Sequence, residues 1–119
     1  MKSPTESAIS RTVLGIDIGG SSSRARLVEY GRIVAEAEGP GANVAVLRPR
    51  MVESRLGSLL AGMGAISPDA CCAGSAGAEV PSGRARLERL LATLLPGCRI
   101  GAVQRTGGSL QVKPAGANV

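Results

Sequence analysis

The chain has 119 residues, 14 Lys or Arg against nine acids, and a net charge of +5. That is room for one small domain. With no Phe, no Trp and a single Tyr, it lacks the aromatic platforms on which single-stranded nucleic acids stack, and no apolar run approaches the roughly 20 residues of a membrane span.

Twelve of the basic residues are arginines, scattered from Arg11 to Arg105. Scatter of this kind reads as a solvated basic surface, not a nucleic-acid footprint, which needs a stripe or patch. Three cysteines cannot all pair within one chain, and Cys71, Cys72 and Cys98 show no metal-ligand spacing. They lie in apolar strand-like segments and read as buried reduced thiols of a cytoplasmic protein. Residues 1–11 are polar, without a signal-peptide apolar region, and read as a flexible leader.

Thr12–Ile18, TVLGIDI, is an apolar β-rich run that predicts a buried strand. A turn, GGSSS, leads into RARLVEY; then Gly31 and Arg32 separate it from IVAEAEG. In that third segment Ile33, Ala35 and Ala37 alternate with Val34, Glu36 and Glu38, the period of a half-buried strand. A three-stranded meander follows, with a tight turn at Gly31. GPGAN (39–43) reads as a loop. Pro49 suits a helix first turn, and Val52, Leu56, Leu59, Leu60 and Met63 make one apolar helical face, with Gly64 as its stop. DACCA (69–73) is a further buried strand, followed by the small-residue loop GSAG. A second helix, with Ser82 as N-cap, shows Leu87, Leu90, Leu91 and Leu94 on one face and ends at Pro96-Gly97. RIGAV (99–103) is the last strand, and residues 104–119 read as an irregular tail. The order βββαβαβ implies a mixed α/β sheet with flanking helices, parallel in its second half.

The chemistry concentrates in LGIDIGGSSS (14–23). A P-loop needs GK[ST] opening a helix, and a dinucleotide fingerprint needs GxGxxG between a strand and a helix. Here a strand follows, which leaves a β-hairpin phosphate loop. Gly19 and Gly20 let the backbone approach a phosphate closely, while N–H groups and the hydroxyls of Ser21, Ser22 and Ser23 can donate to its oxygens. Asp17, at the carboxyl end of the first strand, is placed to hold hydrated Mg²⁺, which keeps several waters and uses one or two carboxylates.

The segment GIDIGGSSSRARLVEYGRIVAEAEGPGAN resembles the start of the sugar kinase, heat-shock ATPase and actin superfamily. It is most similar to the N-acetylglucosamine kinase and BadF/BadG/BcrA/BcrD ATPase family. That family opens with an acid-x-Gly-Gly-Thr/Ser loop, a hairpin and an Asn after a glycine-rich loop. CCAGSAGAEVPSGRARLERLLATLLPG resembles the family's next strand, small-residue loop and helix, so the likeness covers about residues 12–103. The resemblance implies a ribonuclease H-like half domain and an N-terminal ATP- and Mg²⁺-binding part of a sugar kinase. It implies Asp17 as the metal-linked acid, Gly19, Gly20, Ser21 and Ser23 facing ATP phosphates, Asn43 on sugar hydroxyls, and Ser75 and Gly77 bordering the cleft.

The sequence departs from the family in two ways. Sugar kinases of the family carry a catalytic Asp after the last strand; here Gln104, Arg105 and Thr106 follow it. Asp69 precedes its strand and falls at the opposite end, and nothing marks Glu79 as a base. The family's second domain also has no counterpart, and the tail from Gln104 reads as if the chain were cut or its frame shifted. No catalytic residue is therefore assigned, and the chain is expected to be inactive alone, with self-association or a missing domain as its partner. Two alternatives stay open: a non-catalytic binding or oligomerisation module, and a dehydratase-activating ATPase. Adjacent Cys71 and Cys72 do not look like the cluster site of the latter.

Overall fold

A computed structural model describes residues 12–104, with side chains as far as Ala102. The expected leader over 1–11 and the tail beyond Gln104 lie outside the described residues. Five strands and two helices alternate in the expected order: β1 (Thr12–Ile18), β2 (Ser22–Glu29), β3 (Arg32–Pro40), α1 (Pro49–Ala61), β4 (Ala70–Ser75), α2 (Pro81–Leu94) and β5 (Arg99–Gln104). They form one sheet in the order β3-β2-β1-β4-β5. β1, β2 and β3 pair antiparallel, while β1–β4 and β4–β5 pair parallel.

Register decides what each face carries. Leu14 stands opposite Leu27 and Cys71, Ile16 opposite Ala25 and Ala73, and Ile18 opposite Ser23 and Ser75. These side chains pack in one core with Val52, Leu56, Leu59 and Leu60 of α1 and with Leu87 and Leu91 of α2. Both crossovers run the same way across the sheet, so their right-handedness puts both helices on one face. Alternation sends Asp17, Arg24, Arg26, Glu36, Glu38 and Cys72 to the other face, where Arg24 pairs with Glu38 at 2.7 Å and Arg26 with Glu36 at 3.4 Å. The core contains no aromatic residue, because Tyr30 is 69% exposed.

Tyr30 and Gly31 join β2 to β3 with φ of 50° and 79°. Two left-handed residues in a two-residue loop are the hairpin connection that matches strand twist. Several local expectations need correction. A register shift between Leu27 and Val28 interrupts the β3 alternation, so Ile33 and Val34 are both exposed. α1 ends at Ala61 with Gly62 as its cap, and Gly64 turns the chain two residues later at φ 85°. Ser82 is not the N-cap of α2: Val80 holds that place, with Pro81 opening the helix and no side-chain cap. The helix gains its start from proline's fixed φ instead of a hydroxyl. Cys98 lies in the turn before β5, and only Cys71 of the three thiols is buried outright.

Candidate phosphate and sugar site

The carboxyl ends of β1, β4 and β5, with the end of β3, gather the loops that carry the singled-out residues. The β1–β2 turn closes with Gly19 N–H donating to Ser22 O at 2.9 Å. Gly19 has no room for a side chain, since a Cβ there would stand 2.7 Å from Ser22 O. Gly20 is different: it is exposed, has no positive φ, and a Cβ there would meet nothing. The fold does not demand a glycine at position 20. The N–H groups of Gly20 and Ser21 make no backbone hydrogen bond among the described residues.

The three serines separate by strand parity. Ser21 and Ser22 are exposed. Ser23, opposite Ile18, turns under the helices, is 3% exposed, and its Oγ has no hydrogen-bond partner. Ser23 and Gly19 therefore shape the turn from beneath, while Gly20, Ser21 and Ser22 form its outer surface. Asp17, half-buried on the face away from the helices, stands between Arg24 on β2 and Gly74 on β4. The Arg24 guanidinium is held by Glu38 at 2.7 Å, and Gly74 offers no side chain on the other flank.

The β3–α1 loop passes directly over this turn. Ala42 N–H donates to Gly19 O at 3.1 Å, and a Cβ on Gly41 would collide with Gly20 O. Asn43 follows, half-buried, its Oδ1 accepting from Ala45 N–H at 2.9 Å. Its carbonyl accepts from the N–H groups of Val46 and Leu47. This is a side-chain-closed turn, the usual local use of Asn.

The β4–α2 loop forms the third wall. Ser75 is fully buried on the helix side, and its hydroxyl donates to Ala76 O at 2.9 Å. Ala76 N–H donates to Ile18 O, tying this loop to the end of β1. Gly77 is left-handed at φ 93°, and a Cβ on it would lie 2.6 Å from Asn43 Oδ1. Glu79, which nothing in the sequence marked, accepts from Gly77 N–H at 3.0 Å and closes the loop. Asn43 and Gly77 thus meet, whereas Ser75 lies beneath them.

Two further residues escaped sequence reading. Arg55 of α1 donates to Gly41 O at 2.7 Å, and Arg86 of α2 donates to Val44 O at 3.0 Å. A guanidinium aimed at a distant loop carbonyl leaves no periodic trace in sequence.

Acid groups distribute as the sequence reading had them. Asp69 sits at the amino end of β4, where its carboxylate accepts from Thr12 N–H at 3.0 Å. β5 ends on Gln104, in register with Ser75. No cluster of three metal-ligating side chains occurs among the described residues. A magnesium ion carried by nucleotide phosphates needs only one carboxylate and waters, which Asp17 suits. Cys71 faces the helices and Cys72 the other side, so the two thiols do not converge on one ligand. Burial pushes the Cys71 thiol far above its ordinary range, with Cys98 and Cys72 adding to the shift. No helix among the described residues is long and apolar enough to cross a membrane.

No family model matches the sequence, and no curated protein does. Solved structures do. A Porphyromonas gingivalis protein assigned as an N-acetylglucosamine kinase superposes with a TM-score of 0.69 at 22% identity, over 76% of this chain and 33% of that one. A Chromobacterium violaceum protein with the same assignment gives 0.58 at 23% identity, over 79% and 35%. The chain spans about a third of the length of the structures it matches. It has the fold of that third: a ribonuclease H-like α/β half domain, a five-stranded mixed sheet with helices on one face.

Proposed function

We propose that this chain is the Mg·ATP- and sugar-binding part of an N-acetylglucosamine or glucosamine kinase-like protein, which transfers phosphate from ATP to an amino-sugar hydroxyl. One observation carries the reading: the Asn43 loop crosses the β1–β2 turn at the carboxyl end of β1, where the turn holds a glycine, Gly20, that the fold itself does not require. A glycine with open space above it is what a phosphate approaching the backbone needs. The two assigned kinases of like fold support the same class.

In this reading the N–H groups of Gly20 and Ser21 and the hydroxyls of Ser21 and Ser22 donate to phosphate oxygens. Gly19 and Ser23 keep the turn in shape. Asp17 holds Mg²⁺ through water, and the ion, when bound, neutralises phosphate charge. Asn43 contacts the sugar, and Gly77 and Ser75 form the wall and floor behind it. The described residues offer binding and orientation but no evident general base. Gln104 is an amide, Asp69 stands at the far end, and Glu79 is committed to Gly77 N–H. We therefore assign no catalytic residue and expect no phosphoryl transfer by this chain alone. ATP use and reduced thiols fit a cytoplasmic protein.

Calorimetric titration with Mg·ATP tests the reading. Binding is expected to require Mg²⁺ and to weaken at least about tenfold in Asp17→Ala, the loss of one charged contact. Binding that ignores the substitution overturns the role of Asp17. A chain that binds neither Mg·ATP nor sugar at millimolar concentration is instead an association module, a reading that exposed Val46, Met51 and Val80 beside these loops favour.

A further inference from the structure

We propose that Arg55 and Arg86 are positioning residues for Asn43, and that Asn43 meets its ligand only as a hydrogen-bond donor. The inference rests on the sugar-binding reading and narrows it to the chemistry of the contact.

The two arginines come from different helices and take carbonyls on either side of Asn43, Gly41 O at 2.7 Å and Val44 O at 3.0 Å. Neither forms an ion pair with a carboxylate among the described residues. Both guanidiniums are thus used on the backbone of one loop. Between those carbonyls, Ala42 and Val44 are fully buried in the core, so the side chains flanking Asn43 point inward and the loop cannot rotate about them. A charged donor makes a stronger hydrogen bond to a carbonyl than a neutral one does, and two such bonds fix where the Asn43 backbone stands.

The orientation of the Asn43 amide follows from its own bond. Ala45 N–H can only donate, so the atom facing it is the carbonyl oxygen, Oδ1. Gly77 backs the same oxygen, leaving no space there for even a methyl group. Nδ2 has no partner among the described residues, and it is not a buried orphan, a state found only at Ser23 Oγ. Two N–H groups therefore face outward. Their ligand must offer an acceptor: a sugar hydroxyl lone pair or the carbonyl of an acetamido group.

Amide-resolved NMR on the full chain provides the test, with N-acetylglucosamine and Mg·ATP titrated separately and hydrogen exchange followed without ligand. Arg86→Ala is expected to weaken N-acetylglucosamine binding about tenfold, the loss of one charged hydrogen bond, while Mg·ATP affinity stays within about twofold. Arg86→Lys restores part of the loss, since an ammonium still donates. Asn43→Asp keeps the Ala45 contact but replaces the outward donors by an acceptor oxygen. It is expected to weaken the sugar by at least about tenfold with the Ala45 amide still protected. Equal weakening of both ligands in Arg86→Ala, or undiminished sugar binding in Asn43→Asp, overturns the inference. A wild-type chain that binds no sugar defeats the functional reading instead. Positioning is then judged by exchange alone: faster exchange at Ala45 and Leu47 in Arg86→Ala, with Leu91 unchanged, upholds it, and unchanged exchange at the loop overturns it.

Discussion

The sequence contains two aspartates, and the sheet sets them at opposite ends. Asp69, at the amino end of β4, is knitted into the backbone. Its carboxylate accepts from Thr12 N–H, its N–H donates to Thr12 O, and its carbonyl accepts from Arg99 N–H. Asp17, at the carboxyl end of β1, is flanked by Gly74 and by an arginine held by Glu38. One aspartate, through its backbone and its carboxylate, ties β4 to the starts of β1 and β5; the other stands beside a turn whose Gly20 and Ser21 N–H groups bond no backbone carbonyl among the described residues.

The two ends also differ in how the backbone is built, and the largest expected effect lies there. The loop end depends on glycines in contact. Gly77→Ala places a methyl in the left-handed region and against Asn43 Oδ1. The expected loss is about 2–4 kcal/mol, from backbone strain plus overlap. Gly64, at φ 85°, has the same backbone need but open space around it. Gly64→Ala is expected to cost only about 1 kcal/mol. Urea midpoints at unchanged slope separate the two. Equal losses mean that Asn43 does not press on Gly77.

At the other end the barrier is dryness. Cys71 lies two residues beyond Asp69, and burial holds its thiol neutral far above the ordinary thiol range. An acid whose folded pKa is raised leaves stability unaffected below its unfolded value, then loses it as pH rises further, because only the unfolded chain releases the proton. Stability is therefore expected to fall by about 1.4 kcal/mol per pH unit above pH ~9, and Cys71→Ala should flatten that slope. Cys98, whose thiol burial also raises, keeps part of the slope in that variant; a slope unchanged from the wild-type chain means the Asp69 end is wetter than its packing indicates.

Most of the architecture is legible in the sequence because burial imposes periods. The continuous apolar run of β1 reflects a strand buried along most of its length, and the Leu face of α2 reflects one side in contact with the core. The sequence alone treats Ser21, Ser22 and Ser23 alike; register separates them, because Ser23 pairs with Ile18, which faces the helices. The helix start at Pro81 competed with a capping signal at Ser82, and proline geometry won. The Arg55 and Arg86 contacts were not legible. They join residues 14 and 42 positions apart through backbone carbonyls, and any residue supplies a carbonyl. Gly19 and Gly20 look alike in sequence, but only the turn geometry shows that one is required by the fold.

The smallest effect is the sharpest test of the comparison. Asp69→Ala removes an exposed carboxylate bond to Thr12 N–H. Because water can replace the acceptor, the expected loss is about 1 kcal/mol, the usual net value of one hydrogen bond. Mg·ATP affinity should not change, since Asp69 lies at the other end of the strands. Asp17→Ala is expected to lose nucleotide affinity, while removing this half-buried side chain and its own contacts costs about 1 kcal/mol of stability. Thermal melts and titrations on both variants separate the two residues: nucleotide affinity falls in Asp17→Ala alone. If both substitutions reduce stability alike and neither touches nucleotide affinity, Asp17 is a second strand fastener. The turn beside it then has no claim to phosphate, because exposed serines and a free glycine form an ordinary hairpin without a charged group to order a metal.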